Sequence, residues 1–292
     1  MDPFLGPIEE TWPFLFLRLH GKLFARVELD SFDDDYDTLW SVFYNEEPFS
    51  RTYWSRIAII SITSLYQYAR KDSRLKDALR HGRREKREAE EEPPLPTEDN
   101  PLDGAETEMA NVDRAPKAFT NIPVANISPD KEDNLSRIVF DKSALLAFSL
   151  LSEALQSCEP LAGGFVNIWL VFLTYALRYP SVVRLLERHV PWEELAVFLS
   201  GTLDWLGEEG TLNVIEELNG PVLAEDRMMR GFEWSRKVFP RGWFDGGEFE
   251  EDEGEVGVER EELVAEVAAR NNRILSLGLQ ICKVRPLSLK CC

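Results

Sequence analysis

The chain has 292 residues, 44% of them hydrophobic, enough for one large domain or two small ones with a sizeable core. A formal net charge of -19 excludes a general nucleic-acid clamp, which is basic overall or over one face, so any polyanion would have to meet a local patch. Cys158, Cys282, Cys291 and Cys292 form no CxxC pair, which argues against zinc, and with no signal peptide they point to a reducing intracellular compartment.

A first helix is expected within 8–27, with Phe14, Leu17, Phe24 and Val27 spaced for one face. Ser31 or Asp30 would cap a second, "FDDDYDTLWSVFY", whose first-turn Asp33, Asp34 and Asp35 suit the positive end of the helix dipole. A third is expected over about 50–70, with Trp54, Ile57, Ile60 or Ser61, Ser64 and Tyr68 periodic, although the β-branched run at 57–63 also fits a strand. Residues 91–130, rich in Pro, Asn and Asp, read as a disordered insertion.

Periodicity resumes near Lys131 in a long amphipathic helix. "GGFVNIWLVFLTYALRY" follows, with stripes at Val166, Leu170, Leu173, Leu177 and at Phe165, Trp169, Phe172, Ala176, so it belongs at the centre of the fold. Its apolar run is shorter than the roughly 20 residues of a membrane span. Pro180 ends it. "PSVVRLLERHV" gives a short helix and "PWEELAVFLSGTLDWL" another, with Glu193 and Glu194 in its first turn. An acidic linker at 246–258 leads to a last helix, "ELVAEVAARNNRILSLGLQICK", and a tail at 284–292 whose terminal Cys pair either accepts a lipid or simply ends the chain. No alternating strand is visible. The fold class is all-α, a helical-hairpin, α-solenoid-like array with a long insertion.

Catalytic signatures are absent: there is no Walker, dinucleotide-binding, nucleophile-elbow or zincin motif. His20 and His189 have no companion Cys, Ser or Asp cluster and read as structural. Asp33, Asp34 and Asp35, consecutive on a helix, point apart and would not chelate one ion. No enzyme activity, metal, cofactor, small-molecule substrate or membrane partner is expected.

Two stretches carry a binding reading. Arg70, Lys71, Arg74, Lys76, Arg80, Arg83, Arg84, Lys86 and Arg87 outnumber the acids around them, many three or four apart. As an extension of the third helix they would offer a positive stripe to phosphates, or a nuclear-localisation patch. The alternative is a solvated face with internal ion pairs. No aromatic inside the run could stack a base, which argues against sequence-specific reading of a single strand. The second stretch is "AEDRMMRGFEWSRKVFPRGWFDG" (224–246), expected to be one helix followed by a turn at Pro240 and Gly242. Glu225 and Asp226 suit the helix start, Gly231 a close helix approach, and Arg230 a buried carboxylate. Trp243 and Phe244 would tuck onto the core, leaving Arg227, Arg236, Lys237 and Arg241 as outward binding residues.

"FVNIWLVFLTYALRYPSVVRLLERHVPWEELAVFLSGTL" (165–203), the 224–246 stretch and "ARNNRILSLGLQICK" (269–283) together resemble the EST-type ("ever shorter telomeres") DNA/RNA-binding domain of telomerase-recruitment factors and of SMG adaptors of nonsense-mediated mRNA decay, the fungal members in particular. The N-terminal "FLFLRLHGKLF" is similar to that domain's start. The resemblance covers most of 12–283 and implies one helical domain over 8–283. It implies a non-catalytic nuclear adaptor, able to shuttle to the cytoplasm, with RNA or single-stranded DNA and the proteins of telomerase or mRNA decay as partners. It marks Trp192, Arg230, Gly231, Trp234, Pro240, Trp243, Phe244 and Gly278 as signature residues with structural roles. Ala224, Ser200 and Asn167 stand where the family has Pro, Asn and His. No stretch resembles the family's upstream 14-3-3-like module or its PIN nuclease, so phosphopeptide binding and nuclease activity are not carried over, and a truncated or diverged paralogue is expected. The competing expectation is a helical scaffold for proteins alone, suited to the net charge of -19.

Overall fold

A computed structural model describes residues 11–45, 51–90, 129–157, 162–212, 220–245 and 264–284. The expected insertion, all but its last two residues, the acidic linker at 246–258 and the tail beyond 284 lie outside the described residues. The described residues form eleven α-helices and one 3-10 turn, with no strand among them, so the fold is all-α.

Helix α1 (Trp12–Ala25) packs on α2 (Phe32–Phe43). Its core face is Trp12, Leu15, Phe16, Leu19 and Leu23, whereas the expected stripe of Phe14, Leu17, Phe24 and Val27 is exposed. The helix is apolar on most sides, so spacing alone fits two faces. Arg18 and Lys22, one turn apart on the flank between the two faces, both pair with Asp35 of α2.

Helix α3 (Arg51–Leu65) stops short of the expected end. Gln67, Tyr68 and Ala69 follow as a 3-10 turn with φ of 48°, 54° and 62°, left-handed values that disfavour side chains by about 1–2 kcal/mol each. Side-chain bonds hold the turn. Gln67 Nε2 donates to the Ser136 carbonyl at 2.8 Å, the Arg74 amide donates to Gln67 Oε1 at 2.9 Å, and Tyr68 Oη lies 2.7 Å from His20 Nδ1. The basic run is therefore not an extension of α3. Arg70 and Lys71 lie in the connection, and a separate helix, α4 (Arg74–Glu90), carries the rest.

Helix α5 (Pro129–Ser157) leads to α6 (Gly163–Ala176), the hub of the fold. Every residue of α6 from Gly164 onward is buried, as a helix apolar on most of its circumference requires. Around it pack α3, α5, α9 (Ala224–Met229), α10 (Glu233–Arg236) and α11 (Val264–Val284). Helix α7 (Pro180–Leu186) packs on α4, and α8 (Trp192–Leu212) packs on α5 and α11. Two glycines permit close approach. A Cβ on Gly82 would lie 2.6 Å from Tyr179 Cβ, and one on Gly278 would lie 2.6 Å from Leu199 Cδ2.

The 224–246 stretch is two short helices rather than one. They break at Arg230–Phe232, where Gly231 takes φ 95°. Nothing lies within 4 Å of where a Gly231 Cβ would be, so this glycine serves the backbone turn and not a close helix approach.

Candidate functional site

Helix α9 is bound to the rest of the fold by Met229 in the core and by two buried acids that meet arginines of α11. Glu225 accepts from Arg270 Nε at 2.6 Å and Nη2 at 2.9 Å, and from Asn167 Nδ2 of α6 at 3.0 Å. Asp226 accepts from Arg273 Nη1 at 2.6 Å, from the Leu223 amide at 2.9 Å and from the Trp243 indole at 3.3 Å. Arg273 also donates to the Pro221 carbonyl and lies 5.4 Å from the Phe239 ring and 5.2 Å from the Trp243 ring. All four charged side chains are at most 3% exposed. Burial raises the Glu225 pKa but Arg270 more than reverses this, so it ends below the usual carboxylate value; at Asp226 burial prevails and the shift is upward. Arg230, expected to meet a buried carboxylate, is itself exposed, and the buried carboxylates of Glu225 and Asp226 are paired with Arg270 and Arg273 of α11.

This clasp fixes α10 beside α3 and α4, and a cleft of about 360 Å3 opens between the three. Tyr66 and Ile62 line it from the α3 side, Lys76, Leu79, Arg80 and Arg83 from α4, and Phe232, Glu233 and Trp234 from α10 and its lead-in. Trp234 is buried, stacked on Phe232 with centroids 5.3 Å apart, and edge-on to Phe172 of α6 at 6.0 Å. Arg83 Nη2 donates to Tyr175 Oη at 2.7 Å and to Glu233 Oε1 at 2.6 Å. Burial works against its charge, but Tyr175 and Glu233 hold its pKa above the ordinary arginine value, so it stays a cation. Burial pushes the Tyr66 phenol upward, and it stays neutral.

Of the sequence-predicted residues, the cleft brings together Lys76, Arg80, Arg83 and Trp234. Arg74 pairs with Asp133 at 3.7 Å and Arg70 with Asp72 at 3.8 Å, away from the lining. Lys71, Arg84, Lys86 and Arg87 are exposed, as are Arg227, Arg236, Lys237 and Arg241, all outside the lining. Pro240 is exposed; Trp192, Trp243 and Phe244 are half-buried, with the Trp192 indole donating to the Glu187 carbonyl at 2.9 Å. Sequence reasoning missed Tyr66 and Phe232 as site residues and Arg270 and Arg273 as the partners of the acids. Arginines three apart in the middle of an otherwise apolar helix face were the available signal for the latter pair.

Among the described residues no group of His, Cys, Asp or Glu could hold a metal ion, and no helix is long and apolar enough to cross a membrane. Comparison of the chain with protein-family models, curated proteins and solved structures returns no match.

Proposed function

We propose that the chain is a non-catalytic nuclear adaptor of the EST type, shuttling to the cytoplasm, that associates with RNA or single-stranded DNA while holding protein partners of telomerase or mRNA decay. The observation that carries the nucleic-acid part is the cleft, where Lys76, Arg80 and Arg83 stand beside Phe232 and Trp234 in a chain of net charge -19. A cationic, aromatic-lined cleft is the local patch that so acidic a protein would need to meet a polyanion. The family reading is supported by connection between its motifs. Asn167 of the first bonds Glu225 of the second, and Glu225 and Asp226 bond Arg270 and Arg273 of the third. Binding of the full chain to labelled single-stranded DNA and RNA over a salt series tests the proposal. The expected result is affinity that falls steeply with salt and falls further in Arg84→Glu/Arg87→Glu; no binding above nonspecific levels at low salt refutes it.

A second reading, a scaffold for proteins alone, is favoured by exposed apolar surface. Phe14, Leu17 and Phe24 stand out from α1, and Val197 and Trp205 stand out from α8. Under that reading partners are recovered from extracts equally well after nuclease treatment. Partners recovered only while nucleic acid is intact exclude it.

A further inference from the structure

We infer that the cleft between α3, α4 and α10 is a stacking pocket for one unpaired base of single-stranded DNA or RNA. This inference rests on the nucleic-acid reading above and assigns that reading its contact atoms. Stacking needs a rigid ring at the wall of an open cleft, with cations within reach of the neighbouring phosphates. Trp234 is 3% exposed and held by Phe172, and the half-buried Phe232 lies over it at an interplanar angle of 26°. Tyr66 contributes a second, half-buried ring from α3. The volume of about 360 Å3 falls at the small end of ligand pockets, which run from about 300 to 1,000 Å3.

The charges divide in a way that suits a nucleotide. Glu233, the one carboxylate of the lining, is engaged by Arg83 at 2.6 Å. Lys76 and Arg80 remain for phosphates. Lys76 Nζ is held near the Ala69 carbonyl at 3.3 Å, and Arg80 is in an exposed i,i+3 pair with Asp77, an interaction that contributes little and is readily exchanged. A ligand that satisfies both halves has a flat apolar face next to an anionic backbone. A duplex hides its base faces within its own stack and would present only phosphates.

The test compares, by fluorescence anisotropy with the full chain at low salt, a short thymidine strand, an abasic strand of equal length and a duplex. The thymidine strand is expected to bind roughly 5- to 150-fold more tightly than the abasic one, the range given by a single stacked base. Phe232→Ala and Phe232→Leu bring that ratio to near one without changing the salt dependence. The Leu variant keeps the apolar bulk and serves if the Ala variant loses its fold. Lys76→Ala and Arg80→Ala weaken both strands alike and flatten the salt dependence. Equal binding of thymidine and abasic strands overturns the pocket while the nucleic-acid reading stands. Displacement of the strand by an acidic, Phe-containing peptide at matched concentration overturns it in favour of a protein ligand. Absence of binding by every strand overturns both.

Discussion

Truncating Arg270 should cost more than any single change on the surface of this protein. Arg270→Ala removes the paired cation from the Glu225 carboxylate, which is 1% exposed and still accepts from Asn167. Removing one member of a buried ion pair costs about 3–5 kcal/mol, because the survivor stays desolvated and unpaired. For a domain of this size that corresponds to a fall in Tm of roughly 6–20 °C, at about 2–4 °C per kcal/mol. Arg273→Ala should be at least as damaging, since Arg273 also bonds the Pro221 carbonyl and covers the rings of Phe239 and Trp243. Lysine at position 270 gives partial rescue at most, because an ammonium cannot repeat the two-point contact. Glu225→Leu/Arg270→Met should regain much of the loss, short of about 1–3 kcal/mol for Asn167, whose amide is left without its acceptor. Urea denaturation of these variants, with the single changes Glu225→Leu and Arg270→Met added to complete a double-mutant cycle and thermal melts alongside, measures these terms. A loss below about 1 kcal/mol for Arg270→Ala would show that the pair is hydrated, and would refute the clasp as the device that holds α9.

Three further outcomes are expected. Gly82→Ala should destabilise by about 1–3 kcal/mol in a thermal melt, since its methyl would meet Tyr179 Cβ, whereas Gly278→Ala should cost less because the tip of Leu199 can turn aside. Leu17→Asp should leave stability within about 0.5 kcal/mol and Leu15→Ala should cost about 2–5 kcal/mol, the reverse of what the expected α1 stripe requires; equal effects would contradict the observed face. Acidification should weaken the fold through His20, whose pKa is driven by burial from 6.5 down to about 3. Nδ1 is engaged by Tyr68 and Nε2 is buried without a partner, so a second proton has no acceptor. Only the unfolded chain takes that proton as pH falls below 6.5. The contribution is therefore complete above pH 6.5 and is lost on the way down to pH 3, by about 2 kcal/mol at pH 5. Urea midpoints at pH 7 and 5, with His20→Gln as the comparison of flatter slope, measure it.

The all-α class, the central place of α6, and the helix starts at Pro180 and Trp192 could be read from the sequence by itself, because helical period, proline and an unbroken apolar run act locally. The face of α1 could not, because apolar residues surround that helix and the choice between two faces depends on which elements pack against it. Nor could the end of α3 at Leu65, where three left-handed residues are held by Ser136 and His20, each more than 45 positions away. The basic residues of α4 were legible as a run, but their aromatic companions were not: Arg83 and Glu233 are 150 positions apart and meet only because Glu225 and Asp226 are clasped by α11. An acid pair at a helix start satisfies the dipole locally whether or not it is buried, so sequence gave no reason to seek its partners. Only the tertiary structure turned a charged helix and an aromatic stretch into one cleft, since burial of charge and the meeting of distant rings depend on packing that no local pattern encodes.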